Sequence, residues 1–286
     1  MKPTAMSVPE IFDRKARALR RERASARDPF LAVEAAQGLK DRLASVNRTF
    51  ERGLVVDTAP AAFDVIRGVA RTWDMASLGA HESLPPTTEP YDLVVSVLSL
   101  HAVNDLPGVL VQIRRALKPD GLFVAALFGG ATLTELRASL AAGEIETIGG
   151  ITPRVSPMAD VRELGALLQR AGFALPVADV ERTTVRYREF SSLVADLRAH
   201  GETNILVGRR PLRRATLAAA QAHYAANFTD DDGRLIATFE ITYLMGWVPH
   251  ESQQKPLKPG SAKMRLADAL GVTEQSAGDK ADPGKM

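Results

Sequence analysis

Apolar positions along this chain fall into continuous runs, helical stripes and strict alternations. Residues 93–98 are apolar at five of six positions and rich in valine, and residues 122–128 form an unbroken apolar run. Runs of this length without polar alternation predict parallel strands buried on both faces. Between them Leu106, Val109, Leu110, Ile113 and Leu117 share one helical face. Asn104 or Asp105 suits the N-cap, Pro107 the first turn, and Lys118-Pro119-Asp120-Gly121 a stop. The segment therefore reads as a strand, helix, strand crossover. Gly129-Gly130 ends the second strand, and Thr132 with Glu135 has capping-box spacing, so a helix should start there and run to about Ala142. The loops beyond the carboxyl ends of such strands form a ligand crevice, which puts Ser99, Leu100, His101 and the glycine pair at its rim.

Elsewhere the same reading gives a helix-favouring stretch over residues 11–27 and another over 30–43, then a short buried strand at 54–57. A helix over 61–70 and a strand over 71–74 follow, then a proline-rich loop at 85–90. The interval from Asp57 to Tyr91 has room for one crossover. Val161, Leu164, Leu167, Leu168 and Ala171 mark a helix that Gly172 closes. Residues 180–188 alternate, with Thr183, Val185 and Tyr187 on one face and arginines on the other, as an antiparallel strand near an edge would. Helices are expected over 191–200 and 211–227. Ala237, Phe239, Ile241, Tyr243, Met245 and Trp247 then alternate with polar residues, predicting an antiparallel strand with one buried face. From Lys255 the chain is polar and breaker-rich, and disorder is expected after about Gly271.

Composition narrows the function classes. A formal charge of +2 is too small to suggest nucleic acid as a partner. The absence of cysteine excludes disulfides, cysteine-ligated metals and a thiol nucleophile. The histidines and carboxylates have no metal-ligand spacing, so no metal site is expected. No apolar run approaches the ~20 residues that span a bilayer, and a soluble, cytoplasmic protein is expected. Seven basic residues between Arg14 and Arg27 read as a solvated helical face, or as a peripheral contact with the inner face of an anionic membrane.

The turn after the first strand stands out. Asp57-Thr58-Ala59-Pro60-Ala61 lacks the glycines that let a backbone turn tightly and bring its amides to a nucleotide. Pro60 removes one donor, and Ala59 and Ala61 add methyl groups where clearance is needed.

Several strings now carry a resemblance: IFDR from Ile11, DRLASVNRTF from Asp41, SLHAVNDLP from Ser99, FGGATLTELR from Phe128, VSP from Val155, GETN from Gly201 and GWVPHESQ from Gly246. They resemble the class I S-adenosylmethionine-dependent methyltransferase superfamily and, within it, the methyltransferase-like assembly factors of respiratory complex I, which are reported to hydroxylate an arginine. The resemblance implies an α/β, Rossmann-like fold: a mostly parallel sheet with late antiparallel strands. It would comprise an N-terminal helical extension over 1–50, the main domain over 51–262 and a tail over 263–286. It also implies a complex I subunit as partner and S-adenosylmethionine as cofactor, at Asp57, Thr58, Ala59, Ser99, Leu100 and a ribose-binding acid, Asp74 or Glu82. Only Asp57 survives of the family's glycine-rich pattern, and Ala102 replaces a usual tryptophan. Weak or no cofactor binding is therefore expected. His101 is a candidate general base, and Glu240 and His250, with Tyr243 and Trp247, candidates for a peptide cleft. Phe239, Tyr243 and Trp247 are also expected in the core. Two other functions share these residues: an active methyltransferase acting on a small acid or a protein, and a binding protein that has lost its cofactor.

Overall fold

The computed structural model describes residues 10–24, 29–254, 268 and 271–273. Residues 25–27, over which the first helix is expected to continue, and almost all of the expected polar tail lie outside the described residues. Met1–His250 forms one compact unit and Glu251–Met286 a second; all the elements below belong to the first.

Six strands form one sheet: β1 (Phe50–Val56), β2 (Ala70–Ala76), β3 (Tyr91–Val97), β4 (Leu117–Phe128), β5 (Ala174–Tyr187) and β6 (Leu235–Trp247). Their order is β2-β1-β3-β4-β6-β5. The first four are parallel; β6 pairs antiparallel with both β4 and β5. The helices are α1 (Arg14–Arg23), α2 (Phe30–Ala44), α3 (Pro60–Ile66), α4 (Leu106–Ala116), α5 (Thr134–Ile148), α6 (Val161–Arg170), α7 (Phe190–Ala199) and α8 (Arg214–Asn227). This is a Rossmann-like α/β fold with a mostly parallel sheet and late antiparallel strands.

The continuous apolar runs do what their pattern requires. Along β4 the alternate residues Leu122, Val124, Ala126 and Phe128 enter one core layer, with residues of α2, α3, α5, α7 and α8. Phe123, Ala125 and Leu127 enter the other, against α4 and α6. A strand packed on both faces has no room for polar alternation. Between β1 and β3 the chain holds only α3 and β2, so β2 is a sheet edge and Met75 on it stays exposed.

Four expectations are corrected. Thr132 and Glu135 form no capping box: the Thr132 hydroxyl donates to the Glu240 carbonyl, and Glu135 accepts from the amide and hydroxyl of Thr238. Both polar groups tie α5 to β6 instead, and the helix starts after Leu133, held at φ 58°. On β6 the polar face is also covered, since Glu240, Thr242 and Leu244 are all buried. Phe239 and Tyr243 are core residues, whereas Trp247 is only half-buried. Finally, α1 is not a uniformly solvated face, because Ala16 and Arg17 are buried.

Candidate functional site

A cavity of about 990 Å³ opens at the carboxyl ends of the parallel strands. Four loops reach it: the turn 57–61 after β1, residues 77–80 after β2, Val97 and Leu98 closing β3, and Phe128 closing β4. Asp57 and Leu98, at the ends of neighbouring strands, both have φ 46°. For a leucine this left-handed backbone is strained, and it persists only where the surroundings fix it. The Leu98 amide is fixed by the Ala126 carbonyl at 2.8 Å, and the Asp57 amide by that of Ala76 at 2.9 Å.

One side of the cavity is formed by α1. Arg14, Arg17 and Arg21 follow one another at helical spacing and point into the strand-end loops, each donating to backbone carbonyls. Arg14 bonds to Gly79 and Ala102, Arg17 to Ser99 at 2.5 Å and Ala102 at 3.2 Å, and Arg21 to Asp57 at 2.7 Å. For Arg17 and Arg21 carbonyls take guanidinium hydrogens without cancelling the charge, whereas Arg14 also pairs with Glu82 at 3.4 Å. Arg17 is only 4% exposed, and burial, then repulsion from Arg21, lowers its pKa to about 10.

Glu202 answers part of that charge. Its carboxylate lines the cavity and also a smaller chamber of about 140 Å³ that shares Phe128 and His200. His101 Nε2 lies 3.1 Å from Glu202 Oε2. Burial pushes the Glu202 pKa up, but His101, Arg17 and Arg21 together outweigh it and hold the value at about 2. The His101 ring packs against Phe128 with centroids 5.0 Å apart, and its Nδ1 is buried without a partner among the described residues.

The other sequence candidates distribute unevenly. Asp57, Thr58 and Ala59 line the cavity. The Thr58 hydroxyl accepts from the Val97 amide and so joins the ends of β1 and β3. Asp57 Oδ2 accepts from the Leu78 amide at 3.3 Å. Ser99 and Leu100 are buried behind the wall, Ser99 as a partner of Arg17 and Arg21. Asp74 does not line the cavity: it pairs with Arg52 at 2.6 Å and accepts from Tyr91 at 3.0 Å. Glu82 does not line it either; its carboxylate binds the amides of Asn104 and Asp105 and so supports the start of α4. Glu240 is buried beside Gly129, paired with Arg182 at 2.7 Å. His250 is exposed beyond Trp247, which pairs with Leu122 midway along β4, whereas the Glu240 carbonyl accepts from the Gly129 amide just past its end. Seven residues of strand, roughly 23 Å, separate these two positions, so the fold does not bring Glu240 and His250 together.

Sequence reasoning passed over Glu202, Arg17 and Arg21. The signal for Glu202 was present in the string GETN, and that for the arginines in their spacing of three and four.

The fold implies an S-adenosylmethionine-type site at this cavity, and the residues present fit that cofactor poorly. The volume suffices. However, Pro60 opens α3 without an amide hydrogen and Ala59 caps it with no side-chain acceptor. The position after β2 that an acid would occupy to hold a ribose is Ser77. Among the described residues no group of three or more His, Asp or Glu could hold a metal ion, and no helix is long and apolar enough to cross a membrane.

Residues 34–125 match the family described as a methyltransferase domain. The zebrafish protein named Arginine-hydroxylase NDUFAF5, mitochondrial, is 46% identical over 65% of this chain and 59% of its own length. The human protein of that name is 45% identical over 67% of this chain and 56% of its own. The chain thus spans less than two thirds of these relatives. The Malonyl-[acyl-carrier protein] O-methyltransferase of Laribacter hongkongensis is 36% identical over 63% of this chain and 58% of its own length. Among solved structures, a Bacillus halodurans C-125 protein assigned to the methyltransferases superposes with TM-score 0.50 and 13% identity, covering 75% of this chain and 99% of that one. The relatives named as arginine hydroxylases are mitochondrial, so the expected cytoplasmic location finds no support in them. By sequence, then, residues 34–125 are similar to a methyltransferase domain and about two thirds of the chain to proteins named as arginine hydroxylases; by fold the chain is Rossmann-like.

Proposed function

We propose that this protein acts in the assembly of respiratory complex I and is directed at an arginine side chain of one of its subunits. The observation that carries this reading is identity of 43–46% to five proteins named as arginine hydroxylases, over 64–71% of the chain. The cavity at the strand ends supports it as the place where such chemistry would be organised. S-adenosylmethionine binds there weakly or not at all, because the turn after β1 lacks glycine and the ribose acid is absent. Deleting the gene tests the functional reading. Native electrophoresis should show less assembled complex I, and peptide mass spectrometry should find an arginine of one subunit lacking an added oxygen atom. Unchanged assembly with unchanged peptide masses would contradict it.

A second reading, an active methyltransferase on a small acid or a protein, is favoured by the malonyl-[acyl-carrier protein] methyltransferase relatives at 32–36% identity. It requires tight cofactor binding and methyl transfer to an added acceptor.

A further inference from the structure

Away from the strand-end cavity, α5, the loop after it and the segment after α7 enclose a second groove of about 620 Å³. Its floor is apolar and buried, formed by Leu140, Val155 and Leu206. Its rim is apolar and exposed: Ile11 is 46% accessible, Ile151 62% and Val207 52%. Exposed Ile145 and Ile148 prolong the same stripe along α5. A monomeric surface rarely gathers so many large aliphatic side chains, and a patch of this kind marks a contact site.

The exposed charge that follows the groove in the chain is mostly positive. One residue after Val207, beyond Gly208, comes Arg209-Arg210-Pro211-Leu212-Arg213-Arg214, all exposed. Arg209 is paired with Asp13 at 2.8 Å and Arg154 with Glu144 at 2.7 Å. Arg137, on the lining, donates to the carbonyls of Val155 and Ser156. Among the described residues no ion pair engages Arg210, Arg213 or Arg214, and the lining carries a single carboxylate, Glu10. The last two arginines also stand at the N-terminal end of α8, where the helix dipole disfavours a cation and no acidic residue in the first turn offsets it.

We propose that this groove docks an acidic, apolar-faced segment of a partner protein: apolar side chains reach the Leu140–Val155–Leu206 floor, and carboxylates meet Arg210, Arg213 and Arg214. The recessed floor favours a protein segment over a lipid surface, because a bilayer meets only protruding side chains, whereas a peptide inserts single anchors. Self-association through this face would bring two positively charged arginine runs into one interface, which like-charge repulsion disfavours. The inference is independent of the reaction performed at the strand ends.

The probe is a synthetic amphipathic helix with leucines at i, i+3 and i+7 and glutamates on its other face, with a twin carrying lysine for every glutamate. In fluorescence anisotropy the glutamate peptide should bind saturably, and the twin at least roughly tenfold more weakly. Val207→Glu, at an exposed position, and the double variant Arg210→Glu/Arg213→Glu should each weaken the glutamate peptide by about tenfold or more, without lowering the melting temperature. Equal binding of the twin, indifference to both variants, or no saturable binding would overturn the proposal. So would phosphatidylglycerol vesicles, or a second copy of the chain in sedimentation velocity, being the species that binds and that the same variants release.

Discussion

Glu202 shows how one buried carboxylate organises the cavity wall. It faces His101 on one side and, through space, Arg17 and Arg21 on the other, while its own surface lines the open volume. Its folded pKa is about 2 against an ordinary value of 4.5. Because the folded value is depressed, its stabilisation is complete above about pH 4.5 and is lost as pH falls towards 2. A difference of this size corresponds to about 3 kcal/mol. Glu202→Gln should therefore lower the unfolding free energy by that order at pH 7, with the gap from the parent protein closing as the pH is lowered through that window. Denaturant titrations at several pH values measure it, and a gap that stays constant from pH 7 to 3 would show that the charge is not what stabilises the wall. The identity of Glu202 could not be derived from periodicity, because the residue follows α7 and its partners come from α1 and the loop after β3. Long-range juxtapositions of single residues leave no local pattern.

At the scale of elements, local pattern was informative wherever burial is one- or two-sided along a regular segment. The parallel runs at β3 and β4, the stripe on α4, the left-handed Gly172 after α6 and the alternation along edge strand β5 were all legible. Failures came where a tertiary bond overrode a local one: Thr132 and Glu135 have the right spacing for a cap, yet β6 offers them stronger partners. The basic helix misled for the same reason, since a row of arginines looks solvated until the carbonyls of four strand-end residues are folded over it. Close helix packing was equally invisible. A Cβ on Gly143 of α5 would sit 2.7 Å from the Thr216 carbonyl and 2.8 Å from the Ala220 amide of α8. In an isolated helix Gly→Ala gains about 1 kcal/mol. Here Gly143→Ala should destabilise by about 1–3 kcal/mol, because backbone atoms of a packed helix cannot step aside. A thermal melt with an unchanged or raised midpoint would mean that α5 and α8 are less tightly apposed than the structure has them.

For the whole molecule, the fold class follows from the order of patterns: buried parallel runs, then alternating strands late in the chain. The interval between Asp57 and Tyr91 holds the one helix and one strand that its length predicts. What the order could not convey is that β2 ends at the sheet edge and that both acids suspected of holding a ribose are engaged elsewhere, Asp74 by Arg52 and Glu82 at the start of α4. The result is a Rossmann-like framework whose cavity of about 990 Å³ is lined after β1 by alanine and proline and on one side by the arginine-bearing helix α1. Each missing hydrogen bond is worth about 0.5–1.5 kcal/mol, and about 1.4 kcal/mol is a tenfold change in affinity. The missing turn amide and ribose contact together weaken S-adenosylmethionine on the order of ten- to a hundredfold, before the alanine methyl groups are considered. Calorimetric titration of the purified protein with S-adenosylmethionine is the direct measurement. The expected result is no saturation below the high micromolar range, with partial recovery when Ala59→Gly, Pro60→Ala and Ala61→Gly are combined. Dissociation constants of about a micromolar or tighter for the unaltered chain would contradict it, and would make the ordinary methyltransferase reading the stronger one.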